Sequence, residues 1–373
     1  MARTILIMAD PAASGRLTID LDAVIANWRY LNNRSSGGET GAVVKANAYG
    51  LGIDRVALAL WQAGARRFYV AQSGEGMALR MLLPGAEIVV LAPILPEGLA
   101  SIRANRLIVT LNNPQDLQHW RNDKTGALLP AALNIDTGMT RLGFGDSDIP
   151  GLWSALSTTE QAAIVEVSSH LACADEPDHP ANQAQLSRFQ RATSELPKSM
   201  RLSLANSSGI FLGSGFLQNT QRPGMALYGL NPTPYQPNPM RTVVTLEARI
   251  IQTRMLQGSE TVGYGATATL PAGARVATIA GGYADGLHRS LSNTGEVFIA
   301  GQSAPIIGRV SMDLIAIDIS AFSEAEVSAG AFAVIIGKEQ TADDLAAAAG
   351  TIGYEVLTSI GQRYQRIYTG DCA

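Results

Sequence analysis

A strand-like run and a reactive side chain meet in Ala42-Val43-Val44-Lys45-Ala46-Asn47-Ala48-Tyr49-Gly50. The aliphatic residues have the composition of a buried strand, and an unpaired amine directly after them is costly to bury. An isolated lysine at a strand end usually extends its amine into solvent. The alternative is a desolvated lysine, whose lowered pKa makes it a nucleophile and a base. Both interpretations place Lys45 at the carboxyl end of a buried strand.

Similar aliphatic runs recur along the chain as far as residue 230, and helical patterns separate most of them. The runs are short, and many close near Gly, Pro, Asn or Ser, which is typical of buried parallel strands. Helical spacing is clearest at Asp54–Ala63, Gly74–Leu83 and Asn182–Leu196. The predicted strands are Ala42–Val44, Arg67–Ala71, Glu87–Ala92, Leu107–Leu111, Ala131–Ile135, Ile164–Val167, Arg201–Ala205 and Met225–Tyr228.

Alternation of eight strands with helices predicts an α/β fold with an N-terminal (β/α)8 TIM-type barrel. The length of the segment up to residue 230 suits a barrel of this kind. An open doubly wound sheet is the alternative. No G-x-G-x-x-G opens a helix after the first strand, which argues against a dinucleotide-binding fold.

The pattern changes after the proline-rich segment Asn231–Pro239, because closely spaced prolines continue neither a helix nor a strand ladder. Beyond it, strand-like runs follow one another, and only Thr341–Ala349 has a helical pattern. The sequence therefore predicts a barrel at 1–240 and a mostly β C-terminal domain at 241–373. The predicted strands of this domain are Thr242–Gln257, Arg275–Ala280, Glu296–Ile299, Pro305–Ile319 and Ala331–Ile336.

Composition argues against several classes of protein. The 373 residues are 46% hydrophobic with a net charge of −4, so neither a disordered chain nor a broad nucleic-acid surface is expected. Cys173 and Cys372 are too few for a disulfide framework, and four scattered histidines lack metal-ligand spacing. The apolar run Ile5–Met8 is too short for a signal-peptide core, and no run could span a bilayer. We therefore expect a cytoplasmic protein without a metal, nucleic-acid or membrane partner.

Polar side chains follow other strands at the end of a barrel where catalytic groups lie. Arg141 follows the fifth predicted strand and His170 the sixth. Taken singly, Arg141 is more often a surface charge, and His170 is more often a satisfied core histidine. Ser207 and Gly224 are more informative together, because small residues near the last two strands suit the usual phosphate site of such barrels.

The motifs resemble those of alanine racemases, in the same order and over essentially the whole chain. Val44–Gly50 resembles the family's pyridoxal-phosphate signature, which related pyridoxal-phosphate barrels share in looser form. Asp136–Gly143 and Arg222–Gly224 follow it. Gly282–Gly286 and Gly308–Asp313 resemble motifs of the racemases' C-terminal β domain, and they make the resemblance specific.

The resemblance implies a pyridoxal 5′-phosphate site. Lys45 would hold the cofactor as an imine, Arg222 would face its pyridine nitrogen, and His170 would flank the ring. A guanidinium does not give up its proton, so the ring should stay neutral and side reactions should be few. The other residues that the resemblance assigns to the cofactor, mainly to its phosphate, are Tyr49, Asn206, Ser207, Gly224, Met225 and Tyr354.

The resemblance also implies two catalytic bases, Lys45 and Tyr264. Arg141 and the Met312 amide would bind the substrate carboxylate. Without the resemblance, Tyr264 would be interpreted as a strand aromatic packed on a neighbour. In the family, the counterparts of Tyr264, Tyr283 and Met312 come from the second subunit, which implies a homodimer with composite active sites.

Interconversion of L- and D-alanine is the implied activity, either supplying D-alanine for peptidoglycan or serving alanine catabolism. A broad-specificity (serine) racemase is an alternative, since a small pocket rejects an added hydroxyl only about 10²-fold. A pyridoxal-phosphate decarboxylase of basic amino acids is a further alternative. The Arg141 and Tyr264 motifs argue against it, because a decarboxylase must expel the carboxylate that Arg141 would bind. A non-catalytic pyridoxal-phosphate carrier is the last alternative, and the predicted C-terminal β domain argues against it because such carriers lack that domain.

Two positions depart from the family's pattern. Asn134 stands where the family commonly has a lysine, carbamylated in several members, which braces the substrate arginine. A bound anion such as chloride is our hypothesis for the missing charge. Ser311 stands where cysteine is common, which removes a thiol and should blunt inactivation by thiol reagents.

Overall fold

The computed structural model describes residues 13–35, 37–123 and 126–371. It divides into two compact units, of which one is Ala23–Arg241 and the other joins the segment up to Asp22 to the segment from Thr242. The run Ile5–Met8 and Cys372 lie outside the described residues. Within the described ranges, no helix has the length and apolar composition needed to cross a bilayer.

Short strands and helices alternate along the barrel unit, after the N-terminal strand β1 (Gly15–Asp20). The strands are β2 (Glu39–Thr40), β3 (Ala42–Val43), β4 (Arg67–Val70), β5 (Glu87–Val90), β6 (Val109–Leu111), β7 (Ala131–Asp136), β8 (Phe144–Gly145), β9 (Ile164–Ser168), β10 (Leu202–Ser203) and β11 (Thr220–Gln221). The helices are α1 (Leu21–Arg34), α2 (Lys45–Tyr49), α3 (Ile53–Ala63), α4 (Ser73–Leu82), α5 (Leu99–Ala104), α6 (Pro114–Asn122), α7 (Ile149–Ala155), α8 (Thr158–Ala163) and α9 (Pro180–Thr193).

Parallel pairing closes these strands into a ring. β3, β4 and β5 pair in that order, and a parallel bridge from Val89 to Ile108 leads to β6. The order continues through β7, β9, β10 and β11, which pairs with β2. Only Gly41 separates β2 from β3, so the two segments form a single strand position. The ring of described residues thus has eight positions, which confirms the predicted (β/α)8 barrel.

The predicted eighth strand, Met225–Tyr228, was wrong. β11 takes that position, while Met225–Tyr228 forms a 3₁₀ turn in which the Leu227 amide donates to the Gly224 carbonyl at 2.9 Å. All four residues of the turn are buried. A short apolar run has the same composition whether it is buried as a strand or as a helical turn, so periodicity could not distinguish them.

The second unit is mostly β, as predicted. Its strands β15, β18, β17, β16, β19 and β12 pair in that order, and β12 also pairs with β15, so this part of the sheet closes on itself. Its elements are β12 (Val244–Met255), β13 (Glu260–Val262), β14 (Ala268–Leu270), β15 (Arg275–Ala280), β16 (Glu296–Ile299), β17 (Gln302–Ile307), β18 (Leu314–Asp318), β19 (Phe332–Ile336), α10 (Ala342–Ala349), α11 (Gly353–Ser359) and β20 (Gln365–Thr369).

Three details of this unit differ from the sequence-based description. Besides the expected helix at Thr341–Ala349, which is α10 (Ala342–Ala349), the unit contains the unpredicted helix α11 (Gly353–Ser359). The predicted strand Pro305–Ile319 is the antiparallel pair β17 and β18, with a connection that contains the motif Gly308–Asp313. β1 pairs with β12 and β20, and it therefore belongs to this unit rather than to the barrel. The division at 1–240 and 241–373 remains a prediction, from which the compact units differ at this N-terminal strand.

Candidate active site

Lys45 begins a left-handed turn at the carboxyl end of β3. Ala46 to Tyr49 all have positive φ values, between 53° and 56°. Each non-glycine residue in this region costs about 1–2 kcal/mol, so a run of four needs firm support from its surroundings. Within the turn, the Ala48 amide donates to the Val44 carbonyl at 2.9 Å, and the Gly50 amide to the Ala46 carbonyl at 2.8 Å.

The Lys45 amine lies in a partly desolvated and positively charged environment. Burial and then the Arg141 guanidinium lower the pKa of Lys45, whereas the Glu75 carboxylate acts in the opposite direction. A lowered pKa increases the fraction of neutral amine, which is the form that acts as nucleophile or base. The structure therefore favours the desolvated lysine over a lysine that extends into solvent.

Arg222 is buried, and polar groups fix its guanidinium. It donates to the Ser203 hydroxyl and to the Ser169 carbonyl. Its Cζ also lies 6.0 Å from the centroid of the Tyr69 ring, and the Tyr69 hydroxyl donates to Glu166 at 3.0 Å. The guanidinium thus has two defined acceptors, and the nearby Tyr69 ring is held by a buried carboxylate.

His170 follows β9, close to three positive groups. Burial, and then the charges of Arg222, Arg141 and Lys45, lower the pKa of His170 to about 3. The imidazole is therefore neutral at physiological pH. The charges of all three groups act on His170, which indicates that these four side chains lie near one another at the carboxyl end of the barrel strands.

A cradle of hydroxyls and amides lies after β10 and β11. The Ser207 hydroxyl accepts from the Gly224 amide at 3.0 Å and from the Ala226 amide at 3.3 Å. Asn206 is its neighbour, and its side-chain oxygen accepts from the Gly209 amide at 2.9 Å. Met225 begins the 3₁₀ turn that follows Gly224. Hydroxyls and backbone amides at this edge of a barrel are the donor set that a phosphate requires.

Gly224 leaves room that the Tyr49 hydroxyl fills. A Cβ at Gly224 would lie 2.4 Å from the Tyr49 hydroxyl oxygen and 3.4 Å from Val43 Cβ. The Tyr49 ring packs on Tyr228, with centroids 4.6 Å apart, and the Tyr228 hydroxyl donates to the Val43 carbonyl at 2.8 Å. Tyr49 therefore has a fixed position beside the cradle, and the residues present fit a phosphorylated cofactor.

Arg141 lies in the loop after β7 and is exposed. Asp136 orders the start of this loop, since its carboxylate accepts from the amides of Gly138 and Met139 at 2.9 and 3.0 Å. Asn134 donates to the Asn112 side-chain oxygen at 2.8 Å. Asn134 thus supplies a neutral amide, which cannot carry the negative charge whose absence the sequence predicts here.

The remaining predicted site residues lie in the β unit. Tyr264, Tyr283 and Met312 are 72%, 45% and 53% exposed, and Tyr354 on α11 is 39% exposed. The structure brings two of these loops together, because the Tyr283 amide donates to the Ser311 carbonyl at 3.1 Å. The Asp285 carboxylate, which accepts from Nε and Nη2 of Arg363 at 2.7 and 2.8 Å, anchors the Tyr283 loop.

Sequence reasoning missed Tyr69, Glu166 and Glu75. Tyr69 and Glu166 lie within predicted strands, where a polar side chain among aliphatic neighbours was an available signal. Glu75 lies in a predicted helix, and no local pattern distinguished it.

Comparisons with known proteins agree along most of the chain. Residues 19–232 match the family model of the alanine racemase N-terminal domain, and residues 243–368 match that of the C-terminal domain. A catabolic alanine racemase of Agrobacterium fabrum is 45% identical over 359 residues, which cover 95% of this chain and 92% of the relative. An alanine racemase of Rhodospirillum rubrum is 45% identical over 363 residues, or 96% of each chain.

Solved structures show the same similarity. The alanine racemase from Bartonella henselae with covalently bound pyridoxal phosphate superposes with a TM-score of 0.89 at 38% identity, over 96% of this chain and 100% of the other. The biosynthetic alanine racemase from Pseudomonas aeruginosa has a TM-score of 0.89 at 31% identity, with the same coverage.

Proposed function

The chain belongs to the alanine racemase family of pyridoxal-phosphate-dependent isomerases, and from this premise we propose that it interconverts L- and D-alanine with Lys45 and Tyr264 as its two bases. The observation that supports this proposal best is the cluster of Lys45, Arg141, His170 and Arg222 beside the Ser207–Gly224 cradle. Cytoplasmic location and a role in peptidoglycan supply or alanine catabolism remain predictions.

The residues of the barrel unit would provide the contacts that pyridoxal phosphate requires. Lys45 would bind it covalently, and Arg222 would meet its ring nitrogen with His170 beside the ring. When bound, the cofactor supplies the electron sink that acidifies the α-proton of an amino acid. The phosphate would be held by polar side chains and backbone amides. The proposed phosphate-side residues are Tyr49, Asn206, Ser207, Gly224, Met225 and Tyr354.

Two proton carriers on opposite faces of the substrate would allow inversion without rotation of the intermediate. The lowered pKa of the Lys45 amine suits it to take or return a proton at the α-carbon. The Tyr264 hydroxyl would do the same from the other face. Arg141 would bind the substrate carboxylate through its planar donor fork, together with the Met312 amide. Arg222, which keeps its proton, would preserve a neutral ring and limit by-products.

Deuterium exchange in heavy water tests the two bases. In the family the lysine handles the α-proton of D-alanine and the tyrosine that of L-alanine. Tyr264→Phe should nearly stop racemisation and leave exchange into D-alanine partly intact, while exchange into L-alanine is lost far more severely. Equal loss for both enantiomers would remove Tyr264 from this role. Lys45→Ala should lose both turnover and the visible absorbance of the lysine-linked cofactor; a variant that kept both would exclude Lys45.

A homodimer with composite active sites is part of this proposal. Tyr264, Tyr283 and Met312 expose large apolar surfaces, which suits burial against a second copy of the chain. Lys45→Ala and Tyr264→Phe dimers can therefore be dissociated and mixed. Each mixed dimer would regain one intact site, and random pairing would restore about one quarter of wild-type activity. No recovery in verified mixed dimers would show that one chain supplies both bases.

A further inference from the structure

Glu75 links two loops at the carboxyl end of the barrel. It lies in the first turn of α4, where one carboxylate oxygen accepts from the Ala71 and Gln72 amides at 2.8 and 3.1 Å. These bonds belong to the capping of α4 and are common at helix starts. The other oxygen accepts from the Ala46 amide at 2.6 Å. The second contact is not needed for the helix cap, and it reaches the residue directly after Lys45.

The Ala46 amide is mechanically coupled to Lys45. It belongs to the planar peptide group that begins at the Lys45 α-carbon, so a bond that orients this plane also fixes the Lys45 backbone. The Ala48 and Gly50 amides find carbonyl acceptors at Val44 and Ala46, whereas the Ala46 amide bonds to Glu75. Glu75 therefore acts as an N-terminal cap on a strained left-handed turn, a role that backbone groups alone do not fill.

We propose that Glu75 is a positioning residue of the active site, which holds the left-handed turn so that the Lys45 side chain keeps its working position. This inference rests on the proposed role of Lys45. The Glu75 carboxylate also opposes the lowering of the Lys45 pKa by burial and by Arg141. Glu75 thus contributes a hydrogen bond to the backbone and a negative charge near the amine.

Two variants separate these contributions. Glu75→Gln removes the charge and keeps one acceptor oxygen, which can accept from the Ala46 amide while the NH2 group loses the bonds from the Ala71 and Gln72 amides. Glu75→Ala removes both. Glu160 provides a matched control, because it lies in the first turn of α8 and accepts from the Ser157 amide at 2.7 Å in the same kind of cap. Glu160 also pairs with Arg121, which is not a residue of the proposed site.

The experiment compares the holoenzymes of wild type, Glu75→Gln, Glu75→Ala and Glu160→Ala. Hydroxylamine is added, and loss of the visible absorbance of the lysine-linked cofactor is followed over time, alongside kcat and KM. Glu75→Ala should lose the absorbance faster and lower kcat by about tenfold to a hundredfold, with a smaller change in KM. Glu75→Gln should recover most of the cofactor stability, while its pH–rate profile shifts to lower pH because the Lys45 pKa falls further.

The proposal would be overturned if Glu75→Ala and Glu160→Ala, at equal thermal stability, had the same rate of absorbance loss and the same kcat. The Glu75 carboxylate would then serve only as a helix cap. The Lys45→Ala spectrum distinguishes this failure from that of the proposed function: if visible absorbance survives in Lys45→Ala, the assignment of Lys45 itself is wrong.

Discussion

Gly224→Ala should disturb the phosphate cradle through a single steric contact. The new Cβ would lie 2.4 Å from the Tyr49 hydroxyl oxygen, about 1 Å closer than an ordinary van der Waals contact. Tyr49 is 6% exposed and its ring packs on Tyr228, so the hydroxyl has little room to withdraw. Overpacking of this kind costs about 1–3 kcal/mol. We expect that loss in the free energy of unfolding, together with weaker cofactor retention.

A double-mutant cycle isolates the contact. Tyr49→Phe removes the hydroxyl, so Gly224→Ala should cost at least about 1 kcal/mol less in the Tyr49→Phe background than in wild type. Unfolding in urea, followed by circular dichroism at one protein concentration, measures each cost. Gly215→Ala is the control, because its Cβ would come no closer than 3.4 Å, to Leu186. A coupling energy near zero would show that the clash with Tyr49 is not the cause of any destabilisation.

Three further predictions follow from the site. Arg222→Glu should lower racemisation and raise transamination by-products, whereas Arg222→Lys should lower the racemisation rate without by-products. Chiral chromatography measures racemisation, and pyruvate measures transamination. Unchanged product purity in Arg222→Glu would contradict the role of Arg222. Because the pKa of folded His170 is about 3 and that of an unfolded histidine about 6.5, the unfolded chain binds the additional proton between these values. Stability should therefore fall as pH drops from about 6.5 towards 3, and His170→Gln should flatten this part of a urea-midpoint profile; identical slopes would contradict it. Chloride-free enzyme should gain activity on addition of chloride, with anion density beside Arg141, because Asn134 lacks a negative charge; absence of both effects would refute the hypothesis.

The sequence by itself determined the architecture and most candidate residues. Aliphatic runs of strand length, separated by helical patterns, predicted the barrel because burial and periodicity are local properties of composition. The lysine after Val43-Val44 marked the first strand end on physical grounds. The order of motifs, by resemblance, added Tyr264, Tyr283 and Met312, whose roles no local pattern would have suggested.

Only the tertiary structure decided which segments pair and which side chains meet. Met225–Tyr228 has a strand's composition, but Thr220–Gln221 occupies the eighth position, where it pairs in parallel with Glu39–Thr40. β1 joins the β unit through pairing with β20, which lies more than 300 positions along the chain. The left-handed turn at Ala46 depends on a carboxylate 29 positions away. Composition encodes whether a residue is buried, but the pairing partner and the support for a strained turn depend on contacts between distant segments, which exist only once the chain has folded.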